Sequence, residues 1–150
     1  MTELGYVELP FIKCLRALGW EYRTEAQLDT YGRKTDDPIV ERLSLDAIRR
    51  INPTVKTDEV ARRAVDLLRG MLSDPDPLAA NRRTLDALRD GVPVIVEPGQ
   101  PAVTVQFFEF DPDPQKQKLN TFIVTNQYSV RGSETCRADL VLLVNGVPLV

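Results

Sequence analysis

The sequence contains no histidine. That absence removes histidine-based triads, histidine-ligated zinc and histidine general bases from consideration. Cysteine is nearly as scarce. Cys14 and Cys136 are the two present, each in an apolar or mixed segment without metal-site spacing. They read as reduced, buried thiols of a cytoplasmic protein rather than as a disulfide. No apolar run approaches the ~20 residues of a membrane span, and the opening "MTELGYVELP" lacks a basic stretch followed by an apolar one, so no signal peptide is expected. A basic excess is also missing: the net charge is -3 and the pI is near 5.1. Nucleic-acid binding by this chain alone is therefore disfavoured, which says little about a larger assembly. There is no Gly-rich phosphate loop, no Walker pattern and no setting for an activated serine or cysteine.

What is present is an ordinary globular composition. With 150 residues, 43% hydrophobic and 27% charged, the chain fits one domain, or one domain plus a fragment, with a normal core. Four helices are expected. The first covers about Glu8 to Leu18, with Phe11, Ile12, Leu15 and Leu18 on the 3.6 period, Pro10 in the first turn and Gly19 as its stop. The others cover about Leu43 to Ile51, Thr57 to Leu72 with Thr57 as N-cap, and Leu78 to Arg89 with Gly91 as terminator. In the last of these, Leu78, Leu85 and Leu88 form the expected buried stripe.

After about residue 91 the character changes from helical to extended. Val92 to Val96, Val103 to Phe110 and Phe122 to Val130 are rich in β-branched and aromatic residues, separated by the loop sequences "EPGQPA" and "DPDPQKQKLN". A closing hairpin brings the count to about five strands. A helical part over about 1–91 followed by a strand-rich part over about 92–150 predicts an α+β or mixed α/β class, with helices packed on a mainly antiparallel sheet. "DPDP" occurs at Asp74 and again at Asp111 in different flanks, so no internal repeat is assigned.

The closing stretch "RADLVLLVNGVPLV" reads as strand, tight turn and strand. Asn145-Gly146 is the strongest short hairpin signal, because both turn positions need positive φ. That turn pairs Val144 with Val147, Leu142 with Leu149 and Val141 with Val150. Asp139 stands just before the apolar run, and the residue facing it falls about two positions beyond Val150. As a bland feature it solvates a strand edge; as a functional one it is a carboxylate aimed at a phosphate and Mg²⁺.

Glu8 is the second candidate, on the stripe of Ile12 and Leu15. It is either an acid in a first turn, favoured by the helix dipole, or a carboxylate reaching over the sheet toward Asp139. The pairs Arg49-Arg50, Arg62-Arg63 and Arg82-Arg83 fall on helices and read first as solvated faces with salt bridges, second as a phosphate track. Asn126, Gln127 and Tyr128 follow the apolar "FIVT", where an amide can hydrogen-bond a loop or a nucleic-acid backbone.

The order of the segments "YVELPFIKCLRALGWEY", "AIRRINP", "NRRTLDALRDGVPV", "FFEFDPDPQKQKLNTFIVTNQY" and "RADLVLLVNGVPLV" resembles the N-terminal region of the restriction (R) subunit of type I restriction-modification enzymes. The most specific parts are "NTFIVTNQ" and Arg137 through Val150. The resemblance implies an endonuclease domain of the PD-(D/E)XK type, a mixed sheet flanked by helices that cuts DNA with Mg²⁺. It makes Asp139 the first metal-binding carboxylate, with Ala138 where the motif name has proline, and Glu8 the helix carboxylate that accompanies such sites. The Glu-x-Lys that completes the motif would follow Val150, which agrees with the hairpin arithmetic. The resemblance further implies DNA and the modification and specificity subunits as partners, no membrane association, and an ATP-driven motor downstream, with ATP not bound by these residues. The expectation is a fragment cut within the nuclease domain and inactive alone. The competing reading is a non-catalytic α+β module that docks a protein partner, with Asp139 structural; a small-ligand pocket domain has no positive residue support.

Overall fold

Capping residues set most helix boundaries in this chain. The computed structural model describes residues 7–149. The first six residues, on which part of the signal-peptide reading rests, and Val150, the expected partner of Val141, lie outside them. Helix α1 (Leu9–Ala17) carries Pro10 in its first turn, where a missing N–H breaks no helical bond. Helix α2 (Glu25–Asp29) opens on a reciprocal box in which Thr24 and Gln27 each accept the other's backbone N–H. Helix α3 spans Glu41–Ile51, and α4 (Asp58–Leu72) is capped by Thr57 accepting from the Val60 N–H. The two Asp-Pro-Asp-Pro stretches do the same local work: Asp76 caps α5 (Pro77–Asp90) and Asp113 caps α6 (Pro114–Gln117), each followed at once by proline.

The strands are β1 (Glu21–Tyr22), β2 (Val92–Val94), β3 (Val103–Val105), β4 (Phe122–Arg131), β5 (Thr135–Val144) and β6 (Val147–Pro148). The class is mixed α+β, as the segregation of patterns implied. The four long helices lie within two residues of their expected bounds. Short elements were not foreseen: α2, α6 and β1 are too brief to show a period. Asp139 lies inside β5 rather than before a strand, because the ladder continues back to Thr135 through polar residues.

Two compact units form, one from the chain up to Leu43 together with the stretch from Thr121 onward, the other from Ser44–Asn120. The first holds a four-stranded mixed sheet of order β1-β4-β5-β6, with β1 parallel to β4 and the other pairs antiparallel. Asn145 (φ 53°) and Gly146 (φ 80°) make the expected hairpin turn, and the register Val144 to Val147 and Leu143 to Pro148 is that of a two-residue loop. Leu28, Val40, Ile123, Tyr128, Val141 and Leu143 form its apolar core.

A buried arginine braces this core. The side chain of Arg33 is 2% exposed, and its guanidinium donates to Asp29 (2.9 Å), Glu25 (2.6 Å) and the Ser129 carbonyl (2.8 Å) while lying 4.8 Å from the centre of the Tyr128 ring. Glu25 also accepts the Ser129 N–H, so α2 and the arginine together grip both backbone groups of one β4 residue. Tyr128 is buried and donates its hydroxyl to the Pro38 carbonyl at 2.9 Å.

In the second unit, β2 and β3 form a separate antiparallel ribbon, so strands read as one sheet fall into two. Val60, Ala64, Val65 and Leu68 of α4 are buried, whereas Leu67 is exposed. On α5 the inner face is small, made of Ala80, Thr84 and Ala87 beside Leu88. Leu78 (81%) and Leu85 (57%) point outward, contrary to the expected stripe. Phe11 and Leu18 of the first helical pattern are likewise exposed, and only Ile12 of α1 is buried. Both cysteines are free and exposed rather than buried, because they sit on the outer side of α1 and near the start of β5. Gly91 (φ 81°) is obligatory in a second sense: a Cβ there would lie 2.7 Å from the Val105 carbonyl oxygen.

Two outcomes test this account. Arg33→Lys keeps the charge but cannot make three divergent hydrogen bonds, and urea unfolding is expected to show a loss of about 2 kcal/mol, the half-exposed Asp29 contact adding little. Burial pushes the Tyr128 phenol above the ordinary tyrosine value, against the pull of Arg33. The fold therefore holds this proton more tightly than the unfolded chain: the contribution is complete below about pH 10 and is lost as pH rises through the folded value. Tyr128→Phe is expected to flatten that alkaline loss in thermal melts while costing about 1 kcal/mol at neutral pH for the Pro38 bond.

Candidate active site around Glu8 and Gln127

Glu8 occupies the N-cap position of α1 in αR backbone geometry, and its side chain makes no cap hydrogen bond. Its carboxylate instead reaches β4. Oε2 accepts from the Asn126 amide at 3.2 Å and Oε1 from the Gln127 amide at 2.9 Å, with the residue 4% exposed. A carboxylate this buried is tolerable because each oxygen has a donor. The Asn126 orientation follows from its partners: the carboxylate can only accept, so Nδ2 faces Glu8, and Oδ1 takes the hydroxyl of Tyr22 at 2.8 Å. Tyr22 belongs to β1, whose pairing with Val124 puts it on the same sheet face as Asn126.

Two adjacent residues of a regular strand do not point to the same side, yet Asn126 and Gln127 both bond Glu8. The explanation is the backbone of Gln127, at φ 56°, in the left-handed region that costs a non-glycine residue on the order of 1 kcal/mol. It shifts the pleat by one residue. Ile123 before it and Tyr128 and Val130 after it pack into the same apolar cluster, although they differ in parity. The partner strand shifts in step: Ala138 packs with Val141 and Leu143, and the ladder pairs Asn126 with Leu140 and Tyr128 with Ala138.

The position facing Gln127 across this break is Asp139. Ala138 and Val141 both pack with the core although three residues apart, so the alternation of β5 breaks between them, at Asp139 and Leu140. Asp139 is exposed. Of the two acids proposed from the sequence, Glu8 is thus bound to Asn126 and Gln127 of β4, and Asp139 stands on β5 between the partners of Asn126 and Tyr128. Among the described residues no group of three or more His, Cys, Asp or Glu side chains assembles into a metal cage.

Arg49 is bound to Asp58, Arg63 to Glu59 and Arg83 to Asp74, ordinary ion pairs of helix surfaces. Sequence reasoning pointed to Asn126 and Gln127 only as amides able to bond something, and Tyr22 not at all. No local pattern marks a tyrosine in a two-residue strand, and its role follows only from the parallel pairing with β4.

The candidate acids are thus Glu8, delivered to the mixed sheet by the start of α1, and Asp139 of β5. The whole chain, residues 1–150, matches the family described as the type I restriction enzyme R protein N terminus. The chain belongs to that family. No curated protein and no solved structure gives a significant match. Membership assigns these residues to the N-terminal region of an R subunit and makes a restriction endonuclease, working with other subunits and DNA, the setting in which the geometry is read. No helix among the described residues is long and apolar enough to cross a membrane.

Tyr22→Phe is the mild test of the hydrogen-bond chain. It removes only the hydroxyl that holds Asn126 in orientation, and is expected to cost about 1 kcal/mol. In NMR spectra the side-chain amide signals of Asn126 should move while those of Asn52, in the other unit, stay in place.

Proposed function

We propose that Glu8 and Asp139 belong to the DNA-cleaving site of the R subunit, a PD-(D/E)XK-type centre that hydrolyses a phosphodiester with Mg²⁺. The observation that carries this reading is the pleat break: a strained Gln127 is retained where it turns an amide toward Glu8 and stands opposite Asp139. Strain of this kind is expected where a site needs a side chain re-aimed.

The donor set suits the ion. Mg²⁺ prefers hard oxygen ligands, and it is commonly held by one or two carboxylates together with substrate phosphate and retained waters. Among the described residues each Glu8 oxygen accepts one side-chain amide N–H, which leaves lone pairs for a cation, and exposed Asp139 can meet an incoming phosphate. When bound, Mg²⁺ supplies charge neutralisation at the phosphate and lowers the pKa of a coordinated water. The residues of this chain do the positioning: Asn126 and Gln127 hold Glu8 in one rotamer, and Tyr22 holds Asn126. The sequence contains no Glu-x-Lys, so these 150 residues are proposed to lack cleaving activity by themselves. ATP binding and translocation are assigned to other parts of the R subunit, and the modification and specificity subunits to its partners.

A docking role has its own support, since Leu78 and Leu85 stand seven residues apart on the outer face of α5 and are both exposed. That face is compatible with contact to a partner subunit.

The test uses the R subunit that carries this region, assembled with its partners and a plasmid bearing the recognition site. Glu8→Gln and Asp139→Asn are each expected to lower Mg²⁺-dependent cleavage by at least ~100-fold while ATP hydrolysis persists. Cleavage at the wild-type rate by both variants would sink the assignment.

A further inference from the structure

Beyond Gln127, the face of β4 that carries Asn126 continues into two arginines that the Glu8 hydrogen bonds do not involve. Tyr128 and Val130 of β4, with Cys136 and Ala138 of β5, line one apolar hollow on the core side of the sheet. Ser129, Arg131 and Arg137 alternate with them and so lie on the opposite side, where Asn126 stands before the break. The register agrees: Arg137 faces Ser129, and Arg131, opposite Thr135, is its diagonal neighbour. Helix α1 leads away from this part of the face. It begins at Glu8 beside Asn126 and Gln127, and the chain after it returns with Trp20 against Phe122 and Glu21 paired to Ile123, at the other end of β4. Arg131 and Arg137 are exposed, and neither has an ion pair among the described residues. From Arg131 to Arg137 two arginines stand against one acid, Glu134, in a chain whose net charge is -3. The backbone beneath them is held, since Arg33 and Glu25 bind the carbonyl and N–H of Ser129, and the Arg131 N–H donates to the Thr35 carbonyl at 2.6 Å.

We propose that Arg131 and Arg137 hold backbone phosphates of the duplex flanking the Glu8 site, so that the DNA lies along β4 and β5 toward the turn that joins them. The inference deepens the nuclease reading and rests on it. At about 3.3 Å per residue, the Arg137 and Arg131 positions stand ~7 and ~13 Å along the strands from Gln127, and one DNA strand presents a phosphate every ~3.4 Å of axis. Both arginines therefore fall within a few nucleotide steps of the Gln127 amide that binds Glu8. A backbone seated on them is registered against that carboxylate without contact to a base, because phosphate contacts position a duplex and read no sequence. Guanidinium groups suit this task because they offer several donors in a fixed plane to phosphate oxygens. Arg131 and Arg137 are positioning residues here, since neither is placed at the reacting atoms.

The experiment measures binding by the R subunit that carries this region. Fluorescently labelled duplex DNA is titrated with it, without nucleotide or divalent metal, over a range of salt concentrations. Wild type, Arg131→Gln, Arg137→Gln, the double glutamine variant, the double variant Arg131→Lys with Arg137→Lys, and the control Arg89→Gln on α5 are compared. Thermal melts check that each is folded, and the single variants decide the matter if the double glutamine variant unfolds. The expected result is a salt dependence shallower by about one phosphate contact in each single variant and about two in the double, and unchanged in the lysine pair and the control. A wild-type slope in the glutamine variants, or no binding of duplex by wild type, overturns the inference. An equal loss in the lysine pair also overturns it, because the effect then follows the fold and not the charge. A shallower slope together with wild-type cleavage by Glu8→Gln and Asp139→Asn keeps the DNA contact and overturns the nuclease reading alone.

Discussion

At Gln127 the longest stretch of paired backbone in the molecule enters the left-handed region, and the consequences spread in both directions along the sheet. Before the break, Ile123 faces the core and Val124 and Asn126 face α1; after it, Tyr128 and Val130 face the core. β5 makes the complementary shift around Asp139, so the ladder keeps its register while both strands change faces. The unfavourable torsion is held from two sides. Glu8 takes the Gln127 amide on one face, and two residues later Arg33 and Glu25 grip the carbonyl and N–H of Ser129 on the other. The apolar core and the candidate site are thus two products of one local distortion, and neither is independent of the other.

That coupling explains which parts of the structure are visible in the sequence. Helices of more than eight residues announce themselves through the 3.6 period and through Thr57 and Gly91 at their ends, and the final hairpin through Asn145-Gly146. Glu8 and Asp139 stand out as acids beside apolar patterns. The pleat break leaves no trace in composition. Strict alternation would put Gln127 in the core and Tyr128 outside it, whereas the structure buries Tyr128 and turns Gln127 to Glu8. A period of two assumes regular torsions, and one positive φ defeats it.

The inner face of α5 shows a different limit. Periodicity marked Leu78 and Leu85 as core because they are large and apolar, yet Ala80, Thr84 and Ala87 are the residues that are buried. Small side chains let a helix approach its neighbour closely, and the pattern of size then runs opposite to the pattern of burial. The cysteines fail for a related reason. An apolar flank for Cys14 reflects a helix with only Ile12 inside, and the apolar part of β5 begins well after Cys136.

The separation of the sheet-bearing unit into two stretches of chain bears on how the molecule assembles. β4, β5 and β6 follow one another through tight connections and can pair as a local meander. β1 must join β4 from the far side of the intervening unit, Ser44–Asn120, which is continuous in sequence. Closing a segment of that size is entropically unfavourable, and the parallel pairing is compensated only once it is complete. The hydrogen bond from Tyr22 to Asn126 can form only after that closure. Alignment of Asn126 toward Glu8 is therefore tied to this long-range closure, and a chain in which β1 has not paired lacks the hydroxyl that orients the amide.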